Sequence, residues 1–390
     1  MKPATFYGLV VLLAVALIGG VMWRWLGPMT HHSRGGGLEI RSVLGEPSGT
    51  GFRQATIPRV FEFPADHGPH PEFRQEWWYV TGNLESDDGK SRFGYQLTLF
   101  RVGLDPNPAK RESAWGASQL YLGHLAVSDV TGDRFHHFQK VSRGALGLAG
   151  ADAERVWLEG WSLARVGGTP AQPRLQLTAA QDAIQLQLEL NALKPVVLQG
   201  ERGLSRKSDQ TGAASYYYSL TRLETRGELR LGERIQRVRG ASWMDREWST
   251  SALAPDQVGW DWFSLQLDDG WEVMFYRMRL KDGADDPQSQ GTLVAPDGRV
   301  IPLRREAWRQ ENTGSWTSSA TGIRYPSGWR VVVPEQQLEL TLTPRIKNQE
   351  LAEAAVHYWE GAVEIQGRHG ERPVSGFGYV ELTGYPPSSP

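Results

Sequence analysis

The sequence predicts an all-β protein made of two tandem β-barrels that follow an N-terminal hydrophobic segment. Apolar and polar residues alternate with period two along many short stretches, which is typical of strands with one solvent-facing side. Asp-Gly pairs indicate turns between these strands, and they begin at Asp88, Asp269, Asp282 and Asp297. Helical periodicity is nearly absent, and residues 349–358 are the best candidate for a short helix.

The clearest sign of two barrels is a block of sequence that occurs twice. Residues 232–245 match residues 370–381 across a gap of two residues. Each block reads Gly-Glu-Arg, then Val-x-Gly, and ends on an acid that follows an aromatic residue by two positions. The repeat therefore aligns Asp245 with Glu381.

Two looser matches keep the same order along the chain. Residues 78–79 align with 262–263, and residues 184–190 align with 337–342. Self-similarity at this scale predicts a duplicated structural unit. We place the two predicted barrel domains at residues 57–250 and 256–385.

The segment before the first barrel has the features of a targeting sequence. Residues 6–21 are uncharged and mostly apolar, and they follow Lys2. The stretch is longer than a typical signal-peptide core and slightly short for a membrane span. We assign residues 1–35 to a signal peptide or signal anchor, favouring an uncleaved anchor, and residues 36–56 to a linker. An extracytoplasmic location, periplasmic or in the cell envelope, is the expectation.

Composition excludes several classes of function. The 390 residues carry a formal net charge of −2 and include no cysteine, which excludes disulfides, thiolate metal sites and cysteine nucleophiles. No long basic run is present, so nucleic acid is not an expected partner. Gly-x-Ser-x-Gly, Walker and His-Glu-x-x-His signatures are missing as well, and we expect no cofactor.

Five motifs together suggest a family. They lie at residues 64–84, 121–129, 215–222, 242–249 and 378–385. In these motifs the chain resembles the lipocalin-like AttH and carotenoid 1,2-hydratase (hydroxyneurosporene synthase) family. The resemblance implies two consecutive lipocalin-like (calycin-type) β-barrels, frequent export and association with ABC transporter genes. It also implies that some members add water to an isolated alkene end of a carotenoid without a redox cofactor.

Hydration of such an alkene needs a strong proton donor beside aromatic rings, and one strand offers both. At period two Trp243, Asp245 and Glu247 share one face, which we interpret as pointing into a barrel. A carboxylic acid kept neutral by burial donates a proton, and ring faces stabilise a cation. Asp245 is the leading candidate donor and Glu247 is the alternative.

A structural role for Asp245 competes with the catalytic one. Because the second copy carries an acid at the same position, the carboxylate of Asp245 has an equally simple interpretation as an ion-pair partner. Arg101, Arg246 and Arg279 are the available cations.

Aromatic and histidine side chains are the candidates for ligand binding, and core packing is the alternative for most of them. They are Trp243, Trp248, Trp78, Tyr79, Trp260, Trp262, Tyr216, Tyr218, His70 and His124. The spacing of His67, His70, Glu72 and Glu76 is too loose for a typical metal site, so no metal is expected.

Three functions are consistent with these features. The first is a membrane-tethered protein that binds an apolar small molecule, lipid or terpenoid-like, and works with components of an ABC-type export system. The second is a cofactor-independent hydratase or isomerase of a terpenoid-like substrate, with Asp245 as the acid. The third is a purely structural envelope protein.

Overall fold

The computed structural model describes residues 51–108, 113, 116–251, 253–352 and 357–386. The predicted signal peptide or anchor at residues 1–35 lies outside the described residues, as do residues 36–50 of the predicted linker. Strands dominate the described chain, and its helices are three short 3₁₀ turns at Ala65–His67, Arg305–Ala307 and Pro334–Gln336. The prediction of an all-β protein is therefore confirmed.

The first sheet contains thirteen strands of the described chain and curls into a near-closed antiparallel barrel. Its strands are β1 (Gln75–Ser86), β2 (Arg92–Gly103), β3 (Gln119–Asp129), β4 (Arg134–Arg143), β5 (Ala149–Ala151), β6 (Arg155–Leu158), β7 (Trp161–Gly168), β8 (Pro173–Gln181), β9 (Ile184–Ala192), β10 (Val197–Leu198), β11 (Leu204–Arg206), β12 (Ala214–Leu231) and β13 (Arg234–Ser249).

The second sheet contains ten strands of the described chain and forms a similar barrel. Together with the small two-stranded sheet β19–β20, these strands are β14 (Gln257–Leu267), β15 (Glu272–Leu280), β16 (Gln290–Val294), β17 (Val300–Arg304), β18 (Arg309–Asn312), β19 (Ser315–Thr317), β20 (Arg324–Pro326), β21 (Trp329–Val333), β22 (Leu338–Pro344), β23 (Glu350–Ala352), β24 (His357–His369) and β25 (Arg372–Thr383). The predicted helix over residues 349–358 is wrong, since its described residues lie mainly in β23 and β24.

The strand order of the second sheet repeats that of the first. The first runs β4-β3-β2-β1-β13-β12-β9-β8, and the second runs β17-β16-β15-β14-β25-β24-β22-β21. In each barrel the first strand therefore pairs with the last strand, as β1 with β13 and β14 with β25. The last strand also pairs with the strand before it in its hairpin, β12 or β24. This repetition agrees with the repeat in the sequence, while the exact domain boundaries stay a prediction.

Strand register corrects one of the sequence alignments. Tyr79 pairs with Asp245 in the first sheet, and Trp262 pairs with Glu381 in the second. The match between Asp245 and Glu381 is therefore consistent with the ladders. The match of residues 78–79 with 262–263 is wrong by one residue, because Trp262 occupies the place of Tyr79.

Each barrel has its own apolar core. Alternation along β9 and β22 sends Leu186, Leu188, Leu340 and their neighbours inward and leaves polar residues outside. Residues 242–249 of β13 differ, because all of them are buried. One side of this stretch faces the core of the first barrel. The other side, together with β1, packs against β14 and β25 of the second barrel.

A buried carboxylate organises one end of the first barrel. Glu76 binds both Arg101 and Arg246 through its two oxygens, and all three side chains are at most 1% exposed. The backbone N–H of His70 donates to both oxygens of Glu76 at 3.1 and 3.0 Å. Burial alone would raise the pKa of Glu76, but Arg246 and Arg101 lower it well below its ordinary value.

The two arginines also hold the segment that covers this end, residues 64–73, which we call the capping segment. Arg101 donates to the carbonyl of Phe73 at 2.7 Å, and Arg246 donates to the carbonyl of Gly68 at 2.6 Å. The guanidinium of Arg246 lies 3.7 Å from the ring centroid of Trp78. One ion cluster therefore ties the capping segment to β2 and β13.

We expect Arg246→Met to lower the free energy of unfolding by about 3–5 kcal/mol, because it leaves part of the charge of Glu76 buried without a partner. The matched control is Arg239→Met, which removes an exposed ion pair with Glu85 at 3.1 Å and should cost less than about 1 kcal/mol. Urea unfolding of the two variants measures both values. Equal losses would contradict the role of the cluster.

Candidate functional site

A cavity of about 100 Å³ lies between the two barrels. Strands of the first barrel form one side, and β14, β15, β24 and β25 form the other. Most of the wall is aromatic or aliphatic, and its ionisable groups include the three carboxyl groups of Asp245, Glu247 and Glu381. The lining residues are Trp77, Tyr79, Thr98, Phe100, Leu122, His124, Lys207, Tyr217, Asp245, Glu247, Trp260, Trp262, Tyr276, Met278, Tyr358 and Glu381.

Side-chain alternation along β13 selects the residues that face the cavity. Asp245 and Glu247 line it, and Trp243 packs between the barrels on the same side of the strand. Met244 belongs to the core of the first barrel. The three residues thus share a face as predicted, but the interpretation that this face points into a barrel is wrong, because it points at the second barrel.

Asp245 is 4% exposed and accepts three hydrogen bonds from neutral groups. Its Oδ1 accepts from Ser219 Oγ at 2.5 Å and from Trp243 Nε1 at 2.7 Å. Its Oδ2 accepts from the hydroxyl of Tyr217 at 2.5 Å. That hydroxyl accepts in turn from Trp262 Nε1 at 3.1 Å, so the carboxyl is joined to the second barrel.

The three arginines proposed as its ion-pair partners bind elsewhere. Arg101 and Arg246 bind Glu76, and Arg279 lies 3.1 Å from Asp261. Within the described chain the carboxyl of Asp245 is therefore hydrogen-bonded by these three neutral donors and by none of the three arginines, and the ion-pair interpretation does not hold.

Burial raises the pKa of Asp245 to about 7, the charge of Glu247 adds to the rise, and the three hydrogen bonds oppose it. A carboxyl oxygen has two accepting positions, and both on Oδ1 are occupied. The proton of the neutral form therefore belongs on Oδ2. At neutral pH the cavity wall carries a carboxylic acid that is partly protonated.

A second pair of acids comes from the other barrel. Glu381 lines the cavity and pairs in register with Glu360. Trp260 Nε1 donates to Glu381 at 2.9 Å, and the hydroxyl of Tyr79 donates to Glu360. Burial raises the pKa of Glu381 to about 7, and burial together with the charge of Glu381 raises the pKa of Glu360 well above its ordinary value. Both barrels thus present partly neutral acids here.

Glu247, the alternative proton donor, has different partners. It forms an ion pair with Lys207 at 2.9 Å and accepts a hydrogen bond from the hydroxyl of Ser215. Both partners bind its Oε1, so this oxygen is occupied by an ammonium and a hydroxyl donor. The geometry therefore favours Asp245 over Glu247 as a donor.

His124 faces the cavity as a neutral ring, because burial lowers its pKa to about 4. Its Nδ1 lies 2.7 Å from the hydroxyl of Tyr358, and its Nε2 lies 3.3 Å from Gln139 Oε1. With the proton on Nε2, the ring donates to Gln139 and accepts from Tyr358. His124 thus positions a cavity residue of the second barrel.

The structure brings together about half of the residues predicted to bind a ligand. Tyr79, Trp260, Trp262 and His124 line the cavity, and Trp243 contacts it through Asp245. Trp262 packs edge-on against Tyr79, with ring centroids 5.1 Å apart.

Four of the other predicted ligand-binding residues lie on the opposite faces of their strands, and the fifth, His70, belongs to the capping segment. Trp78 is in the core of the first barrel. Tyr216, Tyr218 and Trp248 form a cluster under the capping segment, where His70 stacks on Trp248 with ring centroids 3.7 Å apart. These residues fill the end of the barrel and do not line the cavity.

Sequence reasoning missed Tyr217, Lys207 and Tyr276 as cavity residues. Tyr217 lies between two predicted residues, and the alternation that places Tyr216 and Tyr218 on one face places it on the other. The pairing of Tyr217 with Glu247 identifies its face, and this pairing is not visible in the sequence. Lys207 lies at residues 203–214, an insertion in the first copy of the sequence repeat that has no counterpart of the same length in the second copy.

Two further findings concern the described part of the chain only. It contains no group of three His, Asp or Glu side chains placed to hold a metal ion. Its helices are also too short or too polar to cross a membrane.

The raised pKa of Asp245 predicts a pH-dependent stability. The unfolded chain releases the proton near the ordinary pKa of 3.8, and the folded chain keeps it to about 7. Stability therefore falls as pH rises between these values, by about 1.4 kcal/mol per unit of pKa shift. We expect the unfolding free energy of the wild type, minus that of Asp245→Asn, to fall from about pH 4 to about pH 7. Below about pH 4 the unfolding free energies of the two proteins should change with pH in parallel. A difference between them that stays constant from pH 4 to pH 7 would contradict the assignment.

Comparisons with known proteins place the chain in a family. A family model described as AttH-like matches residues 54–385. The structure of NE1406 from Nitrosomonas europaea, named as a candidate AttH, is 34% identical in sequence to this chain and superposes on it with a TM-score of 0.77. The match covers 86% of this chain and 100% of that chain. None of the curated proteins matches the chain significantly.

More distant structures share the fold. Kievitone hydratase from Nectria haematococca has 15% identity and a TM-score of 0.64, covering 85% of this chain and 96% of that chain. The protein CghA has 14% identity and a TM-score of 0.52, covering 87% of this chain and 96% of that chain. Since the family model spans nearly the whole described body and the bacterial structure agrees with it, the chain belongs to the AttH-like family.

Proposed function

We propose that the protein binds an apolar small molecule, lipid or terpenoid-like, in the cavity between its barrels. The AttH-like fold and its hydratase neighbour support a ligand-binding or hydratase-type protein. The observation that carries the proposal is the cavity wall, where Trp77, Tyr79, Trp260 and Trp262 border a space that their side chains leave open. Protein interiors keep few voids larger than a water molecule, and ring-lined cavities between domains are typical ligand sites.

The size of the cavity limits how the ligand enters. Its volume of about 100 Å³ is below the roughly 300–1,000 Å³ of sites that enclose a drug-sized molecule. The cavity therefore takes one end of the ligand, such as a single ring or a branched hydrocarbon end. The remainder extends past Trp77, Phe100 and Trp260, which are only half-buried.

Acid-catalysed hydration is the second candidate, and the raised pKa of Asp245 favours it. The neutral acid donates the Oδ2 proton to one alkene carbon, and a carbocation forms on the other. The faces of the surrounding tryptophan and tyrosine rings stabilise this cation. A water molecule adds to it and returns a proton to Asp245, so the alkene and one water give an alcohol and the acid is regenerated.

Export and tethering complete the proposal. The apolar stretch at residues 6–21 supports a signal anchor and an extracytoplasmic location. The motifs resemble those of family members that are often exported, and this supports the proposal that the protein acts together with components of an ABC-type export system. Protease protection of the body in intact cells, compared with permeabilised cells, tests the location.

We expect Trp260→Ala to weaken binding of an apolar ligand at least about tenfold, because it removes a ring from the cavity wall. The control is Trp157→Ala, because Trp157 is a half-buried tryptophan on β6 outside the cavity. Both variants lose one tryptophan fluorophore, so their fluorescence titrations can be compared. Native mass spectrometry of the purified chain and fluorescence titration with lipids and terpenoids measure binding. Equal effects of both variants, or an empty protein that binds nothing in the panel, would contradict the proposal.

For the hydratase candidate, we expect Asp245→Asn to keep ligand binding and to lose turnover by at least about a hundredfold. Wild-type turnover should also fall as pH rises through about 7, because the donor must be protonated. Incorporation of oxygen from labelled water into the alcohol gives the rate. Asp133→Asn, in the exposed turn before β4, is the control. Unchanged turnover in Asp245→Asn would exclude this mechanism.

A further inference from the structure

The insertion found only in the first copy reaches across to the second barrel. Ser205 Oγ lies 2.8 Å from the hydroxyl of Tyr276, and Gln290 donates to the carbonyl of Arg206 at 3.1 Å. Gln257 donates to the carbonyl of Lys207 at 2.5 Å. These contacts fix the backbone on both sides of one side chain, that of Lys207, which enters the cavity.

The ammonium of Lys207 lies among groups that keep it charged. Its Nζ is 2.9 Å from Glu247 Oε1, 4.1 Å from the ring centroid of Tyr276 and 5.1 Å from that of Tyr217. Burial alone would lower the pKa of Lys207, but Glu247 and Tyr276 raise it above its ordinary value. The cavity therefore holds a permanent hydrogen-bond donor at this end.

The charge balance around Lys207 limits the group that it can recognise. Lys207 and Glu247 together carry no net charge, and the other ionisable groups on the wall include Asp245 and Glu381. Above about pH 7, where these two acids are ionised, they would repel a carboxylate or phosphate on a ligand in the cavity. A neutral oxygen acceptor avoids that repulsion and still takes a hydrogen bond from the ammonium, which has three donors.

We propose that Lys207 binds a neutral oxygen of the ligand, such as a ketone carbonyl, so that the ligand is an oxygenated apolar molecule and not a pure hydrocarbon. This inference rests on the proposed ligand-binding function of the cavity. Tyr217 lies between Lys207 and Asp245, since its ring faces the ammonium and its hydroxyl binds the carboxyl. The oxygenated part of the ligand is thus separated by one ring from the acid.

The test compares three probes on the full chain by fluorescence titration at pH 8. They are the terpenoid ketone farnesylacetone, a hydrocarbon of similar length and a carboxylic acid of similar length. A hydrogen bond to a charged donor predicts that the ketone binds about tenfold to a hundredfold more tightly than the hydrocarbon. The acid should bind more weakly than the ketone.

Lys207→Met removes the charge and keeps most of the side-chain volume. We expect the preference for the ketone to disappear while the affinity for the hydrocarbon stays within about twofold. Lys207→Arg, which retains a donor, should keep part of the preference. Circular dichroism and thermal unfolding establish that the variants are folded, and the comparison of probes on the wild type does not depend on them.

Two results would overturn the inference and leave the proposed function intact. One is equal affinity of the wild type for ketone and hydrocarbon, and the other is an equal loss of affinity for both probes in Lys207→Met, as expected if the lysine only fastens the insertion. Tightest binding of the carboxylic acid would overturn the neutral-oxygen assignment. Failure of all three probes, with no effect of Trp260→Ala, would instead count against the ligand cavity itself and the inference with it.

Discussion

The structure depends on the burial of both faces of the strands where the barrels meet. Residues 242–249 are all buried, with one side in the first barrel and the other against the second. A polar group in this position loses its water and costs free energy unless it finds a partner. The acids, hydroxyls and indoles between the barrels are therefore joined into hydrogen-bonded chains, such as Trp262 to Tyr217 to Asp245, and these chains also connect the barrels.

The placement of the cations decides which acids remain titratable. Arg101 and Arg246 neutralise Glu76 inside the first barrel, and Arg279 lies against Asp261 in the second. The repeated acids Asp245 and Glu381 face the cavity between the barrels, where neutral groups donate hydrogen bonds to them. Burial can then raise the pKa of both, which gives the cavity its acidic and partly uncharged character.

One departure from the repeat makes the cavity chemically asymmetric. The strand order of the two sheets is shared, but the insertion at residues 203–214 belongs to the first copy alone. It brings Lys207 to one side of Tyr217, while Asp245 lies on the other. The cavity therefore has one end with an ion pair, between Lys207 and Glu247, and another end where acids exchange protons near neutral pH.

Local pattern alone determined the strands, the repeat and the sharing of one face by Trp243, Asp245 and Glu247, because these follow from side-chain period and self-similarity. Only the tertiary structure decided what covers each face. Alternation states which residues point together but not whether a barrel core or a second sheet receives them. The sequence therefore predicts Tyr216 and Tyr218 as ligand-binding residues, whereas the structure places Tyr217 on the cavity. Strand pairing likewise showed that Trp262 corresponds to Tyr79, one residue away from the sequence alignment. The sequence could not show this, because hydrogen-bonded ladders join positions far apart in the chain.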